Sequence, residues 1–392
     1  MATDWIIEKS GMVTQKLTSA SVLDPEEGLA RSMHQTATDK PESPDSGGLL
    51  HKIRHLSKST KLKLKIGFSL AMFAGLFIFG KIDLSKTVEV AMQANLPLLV
   101  IAAAIFTCTI FVNASRWQVL ARAVGLDRPL SELIQYCFVG IFFNLFLPST
   151  VGGDVSRCYY ISKGTHKYKA ALYSVLADRV VGISVLFLFA SLGILFSQGA
   201  KELPWTIKGP VFLGALGIFV GIPLLPAVAK KILGPDHWIT ARFTNSAARV
   251  YWRDGRMIAV SLAQSIFLQI LLVACHIVIG LSLGLSQVPI WYYFVFYPIV
   301  AVLGFVTPSF NGIGVREGAY TYFLMHCPGA DVGAIVDKAH AFTYAIIWLT
   351  LNTCVSLLGG LVYLAGHFKF SEAEAEKLQH DVIEEPEEED LK

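Results

Sequence analysis

Charge is what this sequence has least of. Asp, Glu, Lys and Arg make up 16% of 392 residues, against 53% hydrophobic, and mean hydropathy is +0.52. A soluble domain carries about a quarter charged residues, so a water-solvated globule is excluded. Paired cysteines are missing as well. Cys108, Cys137, Cys158, Cys275, Cys327 and Cys354 form no CxxC or CxxH pair, and most lie in apolar sequence. Free cysteine there behaves as a small hydrophobe, which excludes a disulfide framework and a zinc site. The start of the chain has no apolar core and does not read as a secretory signal peptide. A nucleotide-binding signature is absent, so neither ATP-driven pumping nor a cofactor is expected. Short alternating segments of a transmembrane barrel are lacking too. What is there instead is a series of long runs rich in Leu, Ile, Val, Phe and Ala, which read as membrane-spanning helices.

Along the chain, residues 1–50 are polar and read as a disordered N-terminal segment. Residues 51–65 form a basic juxtamembrane segment with Lys52, Arg54, Lys58, Lys61, Lys63 and Lys65 and no acid. Such a flank obeys the positive-inside rule and attracts anionic headgroups. The membrane domain covers 66–367, and 368–392 is an acidic cytoplasmic tail. Residues 371–392 hold ten of the thirty acids and two of the thirty-three bases, which leaves the remainder near +11 (31 bases against 20 acids). Full crossings are expected at 66–80, 96–120, 170–196, 209–229, 257–283 and 339–365, with Pro223 and Pro226 bending the fourth. Arg116 and Trp117 read as interfacial anchors; lining the site is the alternative for Arg116. His276 reads as a packed, satisfied intramembrane histidine.

One short polar sentence occurs twice. Pro148-Ser149-Thr150-Val151-Gly152-Gly153-Asp154-Val155-Ser156-Arg157 is followed, 160 positions later, by Pro308-Ser309-Phe310-Asn311-Gly312-Ile313-Gly314-Val315-Arg316-Glu317. Proline and glycine break a helix, and charge inside a membrane is costly unless it faces protein or a water-filled cavity. Paired, charged helix breaks in two halves point to the binding site of a repeat-built transporter. Two ordinary polar loops are the plainer alternative. Asp178-Arg179, about two turns into the 170–196 span, cannot face each other as neighbours on a helix. They pair with Asp154 or Arg157, line the cavity, or tie two helices together as a structural ion pair.

The basic stretches set an orientation. With 51–65 in the cytoplasm and both motif segments re-entrant, 116–128, 157–169 and 230–256 all fall in the cytoplasm. The last of these carries Lys230, Lys231, Arg242, Arg249, Arg253 and Arg256 against Asp236 and Asp254. Six crossings put both termini inside. Three crossings separate the motifs, so the repeat is inverted. The fold class read here is all-α: a polytopic integral membrane helical bundle with two re-entrant broken-helix motifs in an inverted repeat. Backbone N–H groups at the glycine turns and half-helix N-termini suit a phosphate-bearing headgroup. Arg157, Arg179 and Arg316 supply charge-assisted contacts. Asp154, Asp178 and Glu317 orient those arginines, or receive a cationic headgroup or a coupling proton.

At Leu147-Pro148 with Gly152-Gly153-Asp154 and Arg157, at Ala177-Asp178-Arg179, and at Pro308-Ser309 with Gly312, Gly314, Arg316 and Glu317, the sequence resembles the flippase-like membrane domain of lysylphosphatidylglycerol synthases, over about residues 60–367. The resemblance implies movement of a lipid headgroup between leaflets, a bacterial inner (plasma) membrane location, and substrate contacts at Pro148, Ser149, Gly152, Gly153, Asp154, Arg157, Asp178, Arg179, Pro308, Ser309, Gly312, Gly314, Arg316 and Glu317. This chain has Asp178-Arg179 where the family often has Glu-Arg, and Asn311-Gly312 where it often has Gly-Gly. Only about 25 residues follow His367, so no aminoacyl transfer is assigned to the chain. The reading is a non-enzymatic lipid translocase for a phospholipid or a polyprenyl-phosphate-linked headgroup. No metal and no nucleic acid are expected, and a separate lipid-modifying synthase is a possible partner. A membrane-embedded transferase acting on lipid-linked sugar, or a non-catalytic partner of such a synthase, are the alternatives.

Overall fold

Four helices of 28 or 29 residues carry the architecture: α2 (Leu96–Ala123), α5 (Tyr168–Phe196), α9 (Gly255–Ser282) and α12 (Lys338–Ala365). At 1.5 Å per residue each is roughly 42 Å long, enough to cross a hydrocarbon core of about 30 Å with tilt. All four are long and apolar enough to be membrane spans. Their starts are set by polar caps. Asn95 Oδ1 accepts from Leu98 N–H at 3.2 Å, Asp254 Oδ1 from Met257 N–H at 3.0 Å, and Asp337 Oδ1 from His340 N–H at 2.8 Å. Each cap satisfies a backbone donor that the helix itself leaves open.

The computed structural model describes residues 83–146, 152–165, 167–196, 204–234, 237, 249–307, 312–327 and 336–366. The segments 1–50, 51–65 and 368–392, the expected crossing at 66–80, and Pro148, Ser149, Pro308 and Ser309 lie outside the described residues. Among the described residues every regular element is helical. The others are α1 (Leu84–Gln93), α3 (Leu130–Phe146), α4 (Gly152–Ser162), α6 (Trp205–Leu216), α7 (Ile222–Leu233), the single turn α8 (Val250–Arg253), α10 (Ile290–Val306) and α11 (Val315–Met325).

The crossing expected at 209–229 is a bent pair. Helix α6 passes through a π-helical turn at Gly217–Gly221 into α7, and the axis turns by 73°. Pro226 lies inside α7 and has no N–H to give, and a wide turn with glycine at both ends absorbs the misfit.

The repeat in the sequence has a structural counterpart. Helices α2, α3, α4 and α5 contain 28, 17, 11 and 29 residues, and α9, α10, α11 and α12 contain 28, 17, 11 and 28. Packing between the two sets is reciprocal. Helices α2 and α9 pack on each other, α3 packs on α12, and α10 packs on α5. Within each set the short helices, α3 with α4 and α10 with α11, fold back as a hairpin. Glycine makes both reciprocal contacts close. A Cβ on Gly193 of α5 would lie 2.7 Å from Val295 Cγ2, and one on Gly359 of α12 would lie 2.8 Å from the carbonyl carbon of Phe138. Small residues of this kind let helix backbones approach where no hydrophobic effect drives them together.

The largest fully buried side chains are aromatic, and all but Trp117 belong to the second set. Trp117, Tyr292, Tyr293, Tyr320, Tyr344, Phe296, Phe323 and Phe342 are all fully buried. Large apolar side chains such as Leu195, Phe196, Leu213 and Ile232 point outward instead. That is the reverse of a soluble protein and the normal condition of a lipid-facing surface.

Candidate functional site

Three of the four charged side chains buried among the described residues, Arg116, Arg157 and Asp178, gather at one place. Asp178 on α5 is 1% exposed and holds two arginines. Arg116 Nε of α2 donates to its Oδ1 at 2.8 Å, and Arg157 Nη2 of α4 donates to its Oδ2 at 3.0 Å. Arg116 also donates to Ser265 Oγ at 2.6 Å and to Asn113 Oδ1 at 2.7 Å. The guanidinium of Arg157 lies 4.1 Å from the ring centroid of Trp117, a cation–π contact. One carboxylate thus ties three helices, and serine and asparagine take two further donors of Arg116. A buried charge cluster persists only when it is satisfied in this way.

Asp154, in the first turn of α4, sits beside this cluster. Arg179 grips it in the bidentate fork, Nε to Oδ2 and Nη2 to Oδ1, both at 2.8 Å, and Arg157 Nη1 approaches Oδ1 at 3.6 Å. The neighbours Asp178 and Arg179 therefore face different partners. Asp178 takes Arg157, and Arg179 takes Asp154.

Helix α4 begins where it does because α3 caps it. Asn144 Oδ1 accepts the Gly153 N–H at 2.9 Å, and a Cβ on Gly153 would stand 2.8 Å from that amide and overlap the Gly140 carbonyl oxygen. Helix α11 begins differently. Gly312 and Gly314 have φ of 77° and 85°, a left-handed turn that only glycine adopts at low cost. Glu317 then reaches back, its Oε2 accepting the Gly314 N–H at 2.6 Å. This turn delays the second helix. Gly152 opens α4, whereas its sequence counterpart Gly312 precedes the first residue of α11 by three residues.

Counting from helix starts instead, Asp154 and Glu317 are both third, and Arg157 and Tyr320 both sixth. Trp117 and His276 are both twenty-second in their helices, and Ser174 and Tyr344 both seventh. The bonds match as well. Trp117 Nε1 donates to Ser174 Oγ at 3.2 Å, and Tyr344 Oη meets His276 Nδ1 at 2.9 Å. Tyr320 Oη meets His276 Nε2 at 3.2 Å where Arg157 covers Trp117. One set carries an ionic cluster at positions where the other carries histidine among Tyr297, Tyr320, Tyr344 and Trp348.

A cavity of about 420 Å³ opens onto the ionic cluster. Arg116, Asp154, Arg157, Asp178 and Arg179 line it from one set of helices, and Gln269, Tyr297 and Arg316 from the other. Of the residues expected at the site, Gly153, Asp154, Arg157, Asp178, Arg179 and Arg316 are brought together here. Gly152, Gly312, Gly314 and Glu317 do not line the cavity, because they build the turns and caps that start α4 and α11. Arg116 does line it, as do Asn113, Asn144, Gln269 and Tyr297. The sequence signal for Arg116 was a charge about two turns before the end of a long apolar run. Among the described residues no group of His, Cys, Asp or Glu could hold a metal ion.

These features define a class: a helical membrane protein whose two matching helix sets bury one charged cavity at their broken helices. The chain belongs to the family described as lysylphosphatidylglycerol synthase TM region, whose sequence pattern matches residues 63–350. It is also similar to two archaeal proteins. It is 24% identical over 138 residues to the UPF0104 membrane protein PH1989 of Pyrococcus horikoshii, covering 34% of this chain and 39% of that one. It is 27% identical over 164 residues to the UPF0104 membrane protein MJ1595 of Methanocaldococcus jannaschii, covering 40% and 48%. The match thus spans less than half the length of either relative. No solved structure matches.

Proposed function

We propose that this protein is a lipid translocase, moving a phospholipid or polyprenyl-phosphate-linked headgroup between membrane leaflets. The observation that carries the reading is the cavity lined by charged side chains from both broken-helix sets. Its volume would hold roughly fourteen waters at liquid density, room for a headgroup while acyl chains stay in the bilayer. Buried arginine and aspartate in an apolar helical bundle mark a polar pathway. Membership of a family named for a lipid synthase's membrane region fits a lipid-handling role.

In this reading the hairpins α3–α4 and α10–α11 enter from opposite faces, both termini lie in the cytoplasm, and the two sets rock about the cavity in alternating access. The protein itself makes and breaks no covalent bond. Exposed Lys163, after α4, then faces the cytoplasm, and exposed His326, after α11, faces outward. Single cysteines at these positions, with the exposed Cys108 and Cys354 replaced, should react with an impermeant maleimide from opposite sides. Reaction from one side only would refute the inversion.

The decisive experiment is leaflet exchange of fluorescent headgroup lipids in vesicles carrying the purified full-length protein. Exchange should be fast with the parent and at least tenfold slower with Arg179→Gln, which strips Asp154 of its bidentate partner. Absence of exchange for anionic, zwitterionic and polyprenyl headgroups alike would refute translocation.

A further inference from the structure

Three of the four cavity arginines have a carboxylate partner, and the fourth has none among the described residues. Arg116 and Arg157 share Asp178, and Arg179 takes Asp154. Arg316 forms no ion pair with any described residue, and the carboxylate beside it, Glu317, is turned back onto the Gly314 N–H. Four arginines against Asp154 and Asp178 leave the described lining with a formal charge of +2. The hydrogen bonds point the same way. The Nε–H groups of Arg157 and Arg316 are buried without an acceptor among the described residues. Arg157 is only 5% exposed, and such unpaired buried donors are rare in native structures. The two donors belong to different helix sets, one on α4 and one on α11, yet both side chains line the same cavity. Arg316 is held there by close packing. Its Cγ would lie 2.8 Å from a Cβ on Gly304 and its Nε 2.6 Å from one on Gly312.

We propose that the cavity binds a phosphate oxyanion whose oxygens accept from Arg157 Nε–H and Arg316 Nε–H together, so that the headgroup phosphate is itself the bond between the two helix sets. This deepens the translocase reading and rests on it. A tetrahedral phosphate presents acceptors on several sides and suits donors converging from two helices, and guanidinium is the natural partner for it. A quaternary ammonium headgroup alone would meet a lining of net positive charge, in which both carboxylates are already taken by arginine. Empty, the cavity holds two unneutralised cations on opposing sets; occupied, it is bridged, and the sets are drawn together by what they carry.

The test uses the full-length protein in detergent, with calorimetric titration and melting midpoints. The probes are dihexanoyl phosphatidic acid, glycerol 3-phosphate, and dioctanoylglycerol as the phosphate-free control, all at matched ionic strength. Phosphatidic acid should bind at least tenfold tighter than dioctanoylglycerol and raise the melting midpoint. Arg316→Gln should weaken it at least tenfold, and Arg316→Lys should recover only part, since an ammonium lacks the Nε–H. Arg122→Gln, at an exposed pair with Asp127, should bind like the parent. Equal binding of dioctanoylglycerol, or undiminished binding by both Arg316 variants, would overturn the oxyanion site. Parental leaflet exchange of phosphate-free lipids would overturn it too, while leaving translocation intact. Should glycerol 3-phosphate bind as tightly as the lipid, the oxyanion site stands with a soluble ligand, and the translocase reading falls.

Discussion

Replacing Asp178 with asparagine should unfold the protein far more readily while barely changing its shape. The carboxylate is 1% exposed and accepts from Arg116 at 2.8 Å and Arg157 at 3.0 Å. An amide keeps one oxygen, so one guanidinium retains a neutral acceptor. The other meets an NH₂, donor against donor. Both cations lose their counter-charge, and Arg157 is left with Asp154 at 3.6 Å. Breaking a buried ion pair by removing one partner costs about 3–5 kcal/mol, and here one substitution breaks two. At about 2–4 °C per kcal/mol for a domain of this size, the melting midpoint should fall by roughly 10 °C. The measurement is scanning fluorimetry in detergent at one fixed scan rate, because irreversible unfolding makes midpoints rate-dependent. Arg116→Gln alone should also destabilise, and the double variant should cost less than the sum by about 1 kcal/mol or more, the mark of a shared partner. A midpoint within about 2 °C of the parent, or strict additivity, would refute a structural role for this carboxylate.

Three further outcomes follow from the same coordinates. Gly153→Ala should abolish the α3–α4 hairpin, because its Cβ overlaps the Gly140 carbonyl, while Gly209→Ala, in open space, should be silent; yields of monodisperse protein compare them. Tyr344→Phe leaves His276 Nδ1 without its 2.9 Å partner and should cost about 1–3 kcal/mol, read as a lower midpoint with unchanged leaflet exchange. Partial burial would raise the Asp337 carboxyl, but the His340 backbone N–H and ring outweigh it and hold it below the ordinary 3.8. A depressed acid contributes stability above its unfolded value and loses it as pH falls through the folded one. Asp337→Ala should therefore cost about 1 kcal/mol at neutral pH and less at pH values well below 3.8, checked by midpoints across that range.

Much of the fold was legible because membrane spans announce themselves. Four long apolar runs became α2, α5, α9 and α12, and the 209–229 crossing bent near its prolines. Half of the site was legible as well, since a repeated helix-breaking motif with charge has few other uses in lipid. Arg116 was legible only as the lesser alternative to an anchor, because its partners Asp178 and Ser265 lie 62 and 149 residues away, and no local pattern announces a contact that distant. Glu317 was read toward substrate although a local rule was available. An acid three residues after a glycine cap reaches back to that cap's N–H. The aligned glycines of the two motifs also concealed an offset. A left-handed turn at Gly312 and Gly314 starts α11 three residues later in its motif, so Asp154 matches Glu317 by position in the helix rather than by position in the motif.

The reciprocal packing has a consequence for how the chain is made. Helix α3 ends at Phe146, but its packing partner α12 begins at Lys338. At about 5–20 residues per second of synthesis, α12 emerges some 10–40 s later. Throughout that interval the first hairpin sits in the bilayer with one flank covered by lipid, and the glycine contact at Gly359 does not yet exist. Asp178 finds Arg116 and Arg157 early, since all three precede α6. The ionic cluster is therefore the clasp that holds the first half in shape while the ribosome finishes the second, and chains halted before α12 should be recognised as incomplete by the cell's membrane proteases.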